Sequence, residues 1–245
     1  MTRVLLTGGS GFIATHILQI LLQRGHSVVT TVRSTSKAEG IRKAHPGHGT
    51  DRLDFAIVPD VSQADAFDRA VVSDPPFEAV IHTASPFHFN VIDIKKDLLD
   101  PAIIGTTGIL RAIKKNAPTV KRVVITSSFG SMMNISKRLW PEHTYSEEDW
   151  NPITMEEALQ NPGLGYSASK TFAEKAAWDF VKQESPSFTL ATILPPLVFG
   201  PAVQSLPDLD SLNTSNQFIR SFTLGAAKKE IPPTTVRLPQ DSPSA

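Results

Sequence analysis

The sequence predicts an α/β protein with a doubly wound, mostly parallel β-sheet. Along the first 200 residues, short β-rich runs alternate with longer amphipathic helical patterns, which is typical of consecutive βαβ units. A glycine-rich turn joins the first strand to the first helix, and the run after Val120 is nearly continuous in β-branched residues, as in a strand buried on both faces. A chain of 245 residues accommodates one large domain, or one domain and part of another.

Composition excludes several functional classes. The balance of 24 basic and 24 acidic residues argues against a nucleic-acid partner. Because the chain has no cysteine, disulfide scaffolds, cysteine-ligated zinc and cysteine nucleophiles are excluded, and we predict no metal site. No apolar run reaches the roughly 18 residues of a membrane helix, and the N-terminus has no signal-peptide pattern. We therefore expect a cytoplasmic protein with no membrane partner.

The first half of the chain contains four predicted strands, at residues 3–7, 27–32, 54–58 and 79–82. Residues 11–23 are predicted as a helix because apolar side chains recur at helical spacing and Gly25 follows as a terminator. Residues 63–72 have the pattern of a second, short helix. These strands and helices alternate, which places parallel strands in one sheet.

The second half continues this alternation. Residues 92–115 are predicted as a long helix interrupted at Pro101, and residues 120–126 as the fifth strand. A helix at 165–184, a strand at 188–194 and a helix at 216–229 follow. The last 15 residues contain four prolines, so we expect an irregular or disordered tail. We divide the chain into a dinucleotide-binding domain with the catalytic residues (1–200) and a remnant of the substrate-binding region (201–245).

The glycine-rich turn reads Thr7-Gly8-Gly9-Ser10-Gly11-Phe12-Ile13-Ala14. Glycines let a backbone turn sharply and approach a pyrophosphate, whose charge is stabilised at the N-terminus of the following helix. An ordinary strand-to-helix turn is the alternative interpretation. The strand before this turn and the helix after it favour dinucleotide binding.

The end of the second strand indicates which dinucleotide binds. An NAD enzyme typically has an acidic residue there, which binds the ribose 2′-hydroxyl. This sequence instead has Arg33 and Lys37, whose charge suits the 2′-phosphate of NADP, although a solvated basic loop is the alternative.

Tyr166 and Lys170 are four residues apart in a predicted helix, so their side chains share one face. Ala173 and Ala177 continue that face, which points it inward. A nearby positive charge lowers the pKa of a phenol, and such a tyrosine can protonate a carbonyl oxygen as hydride reaches the carbon. We therefore expect Lys170 to lower the pKa of Tyr166. An ordinary surface pair is the alternative.

Other candidate residues follow the strands, because ligands of open α/β sheets bind beyond the carboxyl ends of strands. The fifth strand ends at Thr126-Ser127-Ser128, where a hydroxyl could stabilise charge on a substrate oxygen. Asp60 and Val61 could line the adenine, and Thr83, Ala84 and Ser85 could border the nicotinamide. His82 is interpreted as a packed core residue rather than a catalyst.

Together these features resemble the extended short-chain dehydrogenase/reductases over about residues 1–230. The resemblance narrows to the dihydroflavonol-4-reductase-like branch, and within it to fungal aldehyde and ketone reductases. The motifs that narrow it are His82-Thr83-Ala84-Ser85-Pro86, Thr126-Ser127-Ser128, Phe172-Ala173-Glu174-Lys175-Ala176-Ala177-Trp178 and Val198-Phe199-Gly200-Pro201.

This resemblance implies NADPH-dependent reduction of a small carbonyl substrate on a Rossmann fold. By motif, the catalytic residues would be Ser128, Tyr166 and Lys170. The pyrophosphate would lie on Gly8, Gly11, Phe12 and Ile13, the 2′-phosphate on Arg33 and Lys37, and the nicotinamide near Pro195 and Val198. A homodimer is one option, since the helices that pair subunits in relatives are present.

Two departures from the family pattern leave alternatives open. Ile104 stands where many relatives have an asparagine that helps to position the catalytic lysine. Relatives also continue well beyond this length, so the substrate domain is expected to be incomplete. The alternatives to a carbonyl reductase are a catalytically impaired NADP(H)-binding paralogue or truncated isoform, and a sugar-nucleotide epimerase or dehydratase.

Overall fold

The computed structural model describes residues 1–85, 91–137, 140–203 and 208–225. Within these residues, six strands form one sheet in the order β3-β2-β1-β4-β5-β6, and every neighbouring pair is parallel. The strands are β1 (Arg3–Thr7), β2 (Ser27–Val32), β3 (Leu53–Ile57), β4 (Ala79–His82), β5 (Arg122–Thr126) and β6 (Thr189–Ile193). The predicted parallel α/β sheet is confirmed, and the predicted strand bounds differ by at most two residues.

The helices flank this sheet. They are α1 (Phe12–Gln23), α2 (Thr35–Ala44), α3 (Asp100–Asn116), α4 (Met155–Ala158), α5 (Pro162–Glu184) and α6 (Thr214–Thr223). One apolar core includes Leu18 of α1, Ile41 of α2 and Val28 of β2. A second core includes Ile109 of α3, Ala177 of α5 and Val123 of β5. Both faces of the sheet are therefore covered, which is what a parallel sheet requires.

The sheet order reverses between β1 and β4, because the chain winds outward in one direction from β1 and in the other from β4. In open α/β sheets, ligands bind in the crevice outside the carboxyl ends of the strands at such a point. The residues that end these two strands are Thr7 and His82. The fold thus directs attention to the turns that follow them.

Pro101 does not interrupt the long helix, contrary to the sequence prediction. A π-helical turn at Lys95–Leu99 runs directly into α3, and the Asp100 amide donates to the Lys95 carbonyl, five residues earlier. This wider turn accommodates the missing amide of Pro101 near the beginning of α3. The predicted helix at 92–115 is therefore present as a π turn followed by an α-helix ending at Asn116.

Residues 63–72 do not form the predicted helix. They make successive turns in which the amides of Ala66, Asp68 and Val72 each bond to the carbonyl three residues earlier, and Phe67 and Val71 are buried in the core. Conversely, α2 was not predicted. Its buried face consists of only Ala38 and Ile41, so its helical periodicity is weak.

Helix α5 begins at Pro162, three residues before the predicted start. The Asn161 side chain caps it by accepting a hydrogen bond from the Leu164 amide at 3.0 Å. Helix α6 begins two residues earlier than predicted, and the rest of the predicted 216–229 helix beyond Gly225 lies outside the described residues, as does the tail. In the described part of the chain, no helix combines the length and apolarity needed to cross a membrane.

Candidate active site

A cleft of about 290 Å³ lies at the carboxyl edge of the sheet, between the glycine-rich turn, α5 and the loop after β6. It brings together many of the predicted site residues, namely Gly11, Phe12, Ile13, Thr83, Ser128, Tyr166, Lys170, Pro195 and Val198. Residues from distant parts of the sequence thus converge at the crevice predicted from the strand order.

The glycine-rich turn is closely packed. Gly8 has a φ of +73°, and a Cβ there would lie 2.9 Å from the Ala84 Cα atom. A Cβ on Gly9 would lie 2.0 Å from the Thr30 Oγ1 atom. Gly11 is the N-cap of α1 and contributes no side-chain cap, so the first amides of that helix remain available to an anion. These features fit the pyrophosphate of a dinucleotide.

Thr7 is buried beneath this turn and joins it to the end of β4. Its Oγ1 atom accepts hydrogen bonds from the amides of Thr83 and Ala84, both at 3.1 Å. Its hydroxyl proton is then free to be donated to His82 Nδ1, 2.8 Å away. Thr7 therefore lies beneath the glycine-rich turn and positions the backbone of Thr83 and Ala84.

His82 is a packed core residue, as predicted. It is 2% exposed and packs edge-on against Phe67. Burial, aided by the nearby positive charge of Lys170, lowers the pKa of His82 to about 3. The ring is consequently neutral at physiological pH.

Ser128 and Tyr166 face each other across the cleft. Ser128 begins a short 3₁₀ turn (Phe129–Ser131) after β5 and accepts a hydrogen bond from the Gly130 amide at 3.1 Å. Tyr166 lies in the second turn of α5, and its phenol is hydrogen-bonded to the Ser128 side chain. Burial raises the pKa of Tyr166 above its ordinary value of 10, and the Ser128 hydrogen bond opposes that rise.

The expectation that Lys170 lowers the pKa of Tyr166 is wrong for this structure, because burial of the phenol has the larger effect. Lys170 Nζ lies 5.8 Å from the centre of the Tyr166 ring and donates to Ser85 Oγ at 2.9 Å. Burial also lowers the pKa of Lys170, from 10.5 to about 8. The lysine therefore joins α5 to the loop after β4.

Arg33 and Lys37 lie apart from the cleft, at the exposed end of β2 and in the first turn of α2. Within the described ranges, neither forms an ion pair. The N-cap of α2 is Ser34, which makes no side-chain cap, and the first turn contains no acid. This end of α2 thus offers two cations and uncapped amides, which suit an anion.

Asp60 has a local structural role. Its carboxylate accepts hydrogen bonds from the Ser62 amide at 2.8 Å, the Ser62 hydroxyl at 2.6 Å and the Gln63 side chain at 2.8 Å. The side-chain bonds from Ser62 and Gln63 are the main reason that the pKa of Asp60 is lowered. The Val61 carbonyl approaches Gly105 in α3, where a Cβ would lie 3.3 Å from it. Neither residue lines the cleft.

The beginning of α6 forms one wall of the cleft; the sequence placed it in the substrate-binding remnant (201–245) but singled out none of its residues as site residues. Ser215 Oγ accepts a hydrogen bond from the Val198 amide at 3.1 Å, and Asn216 Nδ2 donates to the Gly200 carbonyl at 2.7 Å. Asn213 donates to the Val198 carbonyl at 3.3 Å, but its Oδ1 atom is buried without a hydrogen-bond partner in the described part of the chain. The polar run from 213 to 216 is the signal that could have indicated this wall.

Residues 4–237 match the NAD dependent epimerase/dehydratase family. The chain belongs to this family. Among its relatives in the epimerase/dehydratase family is a ketoreductase, azaE, of Aspergillus niger, which is 47% identical over 226 residues covering 92% of this chain and 66% of the relative. The predicted family resemblance is confirmed.

Solved structures agree with this assignment. A yeast methylglyoxal/isovaleraldehyde reductase complexed with NADPH is 40% identical, with a TM-score of 0.82, and the match covers 89% of this chain and 65% of that one. Vestitone reductase from alfalfa (Medicago sativa) is 29% identical, with a TM-score of 0.68 over 88% of this chain and 61% of that one. This epimerase/dehydratase family member therefore spans somewhat less than two thirds of the length of these structures.

Proposed function

We propose that this protein is an NADPH-dependent carbonyl reductase that converts an aldehyde or ketone to an alcohol. The observation that carries the proposal is the convergence of Ser128, Tyr166 and Lys170 in one cleft beside an uncapped glycine-rich turn. The names of the relatives, a ketoreductase and an aldehyde reductase bound to NADPH, support the same reaction. We further propose that residues 1–200 bind the cofactor and that the protein acts in the cytoplasm.

The residues present fit a dinucleotide along the carboxyl edge of the sheet. The pyrophosphate would be held by the first amides of α1, at Phe12 and Ile13, and by the close backbone approach that Gly8 permits, while the Gly11 amide donates to the Gly8 carbonyl at 2.8 Å. Arg33 and Lys37, beside the N-terminus of α2, bind the 2′-phosphate. When bound, NADPH supplies the hydride for the reduction.

The catalytic side chains act on the carbonyl oxygen. Ser128 donates a hydrogen bond to that oxygen and stabilises the negative charge that develops as hydride reaches the carbon. Tyr166 donates its phenolic proton to the same oxygen. Because burial keeps the Tyr166 phenol protonated, it is a proton donor at neutral pH, and the Lys170 ammonium stabilises the phenolate after transfer.

The decisive experiment is to measure oxidation of NADPH by the 245-residue chain in the presence of a panel of aldehydes and ketones. NADPH and NADH should be compared at equal concentration. Carbonyl-dependent turnover with NADPH and much less with NADH is the expected result. Absence of turnover with the whole panel, under conditions where NADPH binds, would contradict the proposed activity.

A catalytically impaired NADP(H)-binding protein is the second candidate. The presence of Ile104 in α3, where many relatives have an asparagine, favours it. It predicts NADPH-dependent stabilisation without carbonyl-dependent oxidation.

A sugar-nucleotide epimerase or dehydratase is less well supported, because the end of β2 carries cations where an NAD enzyme has an acid. Analytical ultracentrifugation, which measures the molecular mass in solution, would test whether the protein forms a homodimer.

A further inference from the structure

Glu174 is a buried acid that the proposed mechanism does not use. It lies on α5, one turn after Lys170, and is 5% exposed. Acidic residues are rarely this buried unless they are paired. Within the residues that the structure describes, however, Glu174 forms no ion pair. Its hydrogen bonds must therefore account for its burial.

Those hydrogen bonds go to the two serines that flank the short turn containing Ser128. Glu174 Oε2 accepts from Ser127 Oγ at 2.5 Å and from Ser131 Oγ at 2.6 Å. The same oxygen thus contacts the residue directly before Ser128 and the residue at the end of its 3₁₀ turn. Ser131 Oγ also lies 2.8 Å from the Ser128 carbonyl oxygen, so Glu174 and that carbonyl share the single Ser131 hydroxyl proton as alternative acceptors.

The rest of this turn is attached to the loop after β6 by the backbone alone. The Ser127 amide donates to the Ile193 carbonyl at 2.8 Å, and the Phe129 amide donates to the Pro195 carbonyl at 3.0 Å. Asn151 also holds the turn, since its amide donates to the Ser131 carbonyl at 2.8 Å and its Nδ2 atom donates to the Gly130 carbonyl at 2.9 Å. Glu174 adds hydrogen bonds from α5, the helix that also carries Tyr166 and Lys170.

We propose that Glu174 is a positioning residue that holds the Ser128 hydroxyl at the correct distance from Tyr166, and this inference rests on the proposed function. Because Glu174 and Tyr166 lie on the same helix, the bonds to Ser127 and Ser131 fix the Ser128 turn relative to the phenol. Functional side chains depend on such supporting hydrogen bonds to keep a productive geometry. Glu174 itself does not line the cleft, so the proposed role is one of positioning and not of catalysis.

Two other roles for Glu174 are distinguishable from this one. It shares a cavity of about 20 Å³ with Lys170, so it could act on the lysine through charge. It could also contribute only to stability. The positioning role requires the hydrogen bonds from Ser127 and Ser131 to Glu174. The charge role requires the negative charge of the carboxylate. The stability role would leave catalysis by Ser128 and Tyr166 unchanged.

The first experiment compares Glu174→Gln with Glu174→Leu. Glutamine has a carbonyl oxygen that can accept both serine hydrogen bonds, whereas leucine fills similar space and accepts none. We expect kcat to fall about 10- to 100-fold in Glu174→Leu but less than about threefold in Glu174→Gln, with NADPH affinity maintained in both. Equal losses in the two variants would indicate a charge role, and a lower melting temperature with unchanged kcat would indicate a stability role; either result would overturn the proposal.

The second experiment repeats both substitutions in a Ser128→Ala background. If Glu174 acts through Ser128, the difference in kcat between Glu174→Gln and Glu174→Leu should disappear once the Ser128 hydroxyl is gone. A difference that persists undiminished in the Ser128→Ala background would contradict the proposal. If Glu174→Leu does not fold, Ser131→Ala and Ser127→Ala each remove one of the two hydrogen bonds, and each should lower kcat without weakening NADPH binding.

A readout that needs no turnover separates this inference from the proposed function. The chain has only two tyrosines, so subtracting the phenolate titration of Tyr166→Phe isolates the Tyr166 signal. The Ser128 hydrogen bond lowers the pKa of Tyr166, so that pKa should be higher in Glu174→Leu than in Glu174→Gln. An equal Tyr166 pKa in both would overturn the positioning role, even if the protein reduces carbonyls. Conversely, a difference in a protein without turnover would retain the positioning role and refute only the proposed reaction.

Discussion

Tyr166 is the residue on which proton transfer in the proposed reaction depends. Replacing Tyr166 by Phe removes the phenolic proton but keeps the ring, so we expect turnover to fall about 100-fold or more while NADPH still binds. The measurement is carbonyl-dependent NADPH oxidation, with NADPH affinity determined by fluorescence titration. Tyr145→Phe is the matched control, because that hydroxyl accepts a hydrogen bond from the Asn134 amide at 3.2 Å and Tyr145 does not line the cleft. A Tyr166→Phe variant as active as Tyr145→Phe would refute the assignment.

Lys170 makes stability depend on pH. Its pKa is about 8 in the folded protein against an ordinary value of 10.5, so between these values the unfolded chain binds more protons. The free energy of unfolding should therefore rise as pH increases from about 8 to about 10.5, and the full penalty, on the order of 3 kcal/mol, applies below about pH 8.

Lys170→Met should consequently be more stable than the parent protein near neutral pH, and this difference should shrink as pH approaches about 10. Urea unfolding of both proteins at several pH values measures it, since other titrating groups are common to the two. Lys182→Met, an exposed change on the same helix, controls for the loss of a charge. A stability difference that stays constant across this pH range would contradict the shifted pKa of Lys170.

At the residue scale, the sequence predicted which side chains meet but not all of their chemistry. Tyr166 and Lys170 are close because helical spacing places them together, a local property. The direction of the Tyr166 pKa was predicted wrongly, because it depends on how deeply the folded protein buries the phenol, a tertiary property. The adenine contact of Asp60 stays a prediction, but its hydrogen bonds to Ser62 and Gln63 became visible only in the folded turn.

Among the elements, α2 determines the proposed preference for NADPH. Arg33 precedes this helix and Lys37 lies in its first turn, and both are exposed. We expect Arg33→Ala with Lys37→Ala to weaken NADPH binding about 10- to 100-fold and to leave NADH binding within about twofold, because only NADPH has the 2′-phosphate. Titration of both cofactors measures this change.

The control for this double variant is Lys43→Ala, which removes an exposed cation from the last turn of the same helix. It should leave the affinity for both cofactors nearly unchanged, because it lies at the opposite helix end. Parallel weakening of NADPH and NADH binding in the double variant would mean that Arg33 and Lys37 support the loop rather than recognise the phosphate.

Element prediction succeeded where burial leaves a strong pattern and failed where it does not. Strand β1 and helix α1 bury extended apolar faces, and their existence was predicted correctly. Helix α2 buries only two side chains, and residues 63–72 bury apolar residues on successive turns instead of a helix. Proline interrupts the interior of an α-helix because it lacks an amide, which is why an interruption was predicted at Pro101. The preceding π turn removes the need for that missing hydrogen bond.

For the whole molecule, strand order determines where chemistry can occur. Because β1, β4 and β5 are neighbours and parallel, their carboxyl ends place the glycine-rich turn, the Thr83–Ser85 loop and Ser128 along one edge. Helix α5 then supplies Tyr166 and Lys170 to that edge, and α6 closes it. The doubly wound parallel sheet was predicted from the βαβ pattern, but the contribution of α6 was not, since it depends on side-chain bonds to the 198–200 loop.

The whole fold should be stabilised by the cofactor, because a dinucleotide that contacts the turns after several strands binds only the folded chain. At a free NADPH concentration of about 100 times the dissociation constant, linkage gives about 2.7 kcal/mol. For a chain of this size, that corresponds to a rise in melting temperature of roughly 5–10 °C. Thermal unfolding with NADPH, NADH or neither measures it.

The rise in melting temperature with NADPH is expected to exceed the rise with NADH at equal concentration, since Arg33 and Lys37 add binding energy only for the 2′-phosphate. Equal rises would contradict the assignment of these two residues, and no rise with either cofactor would contradict dinucleotide binding.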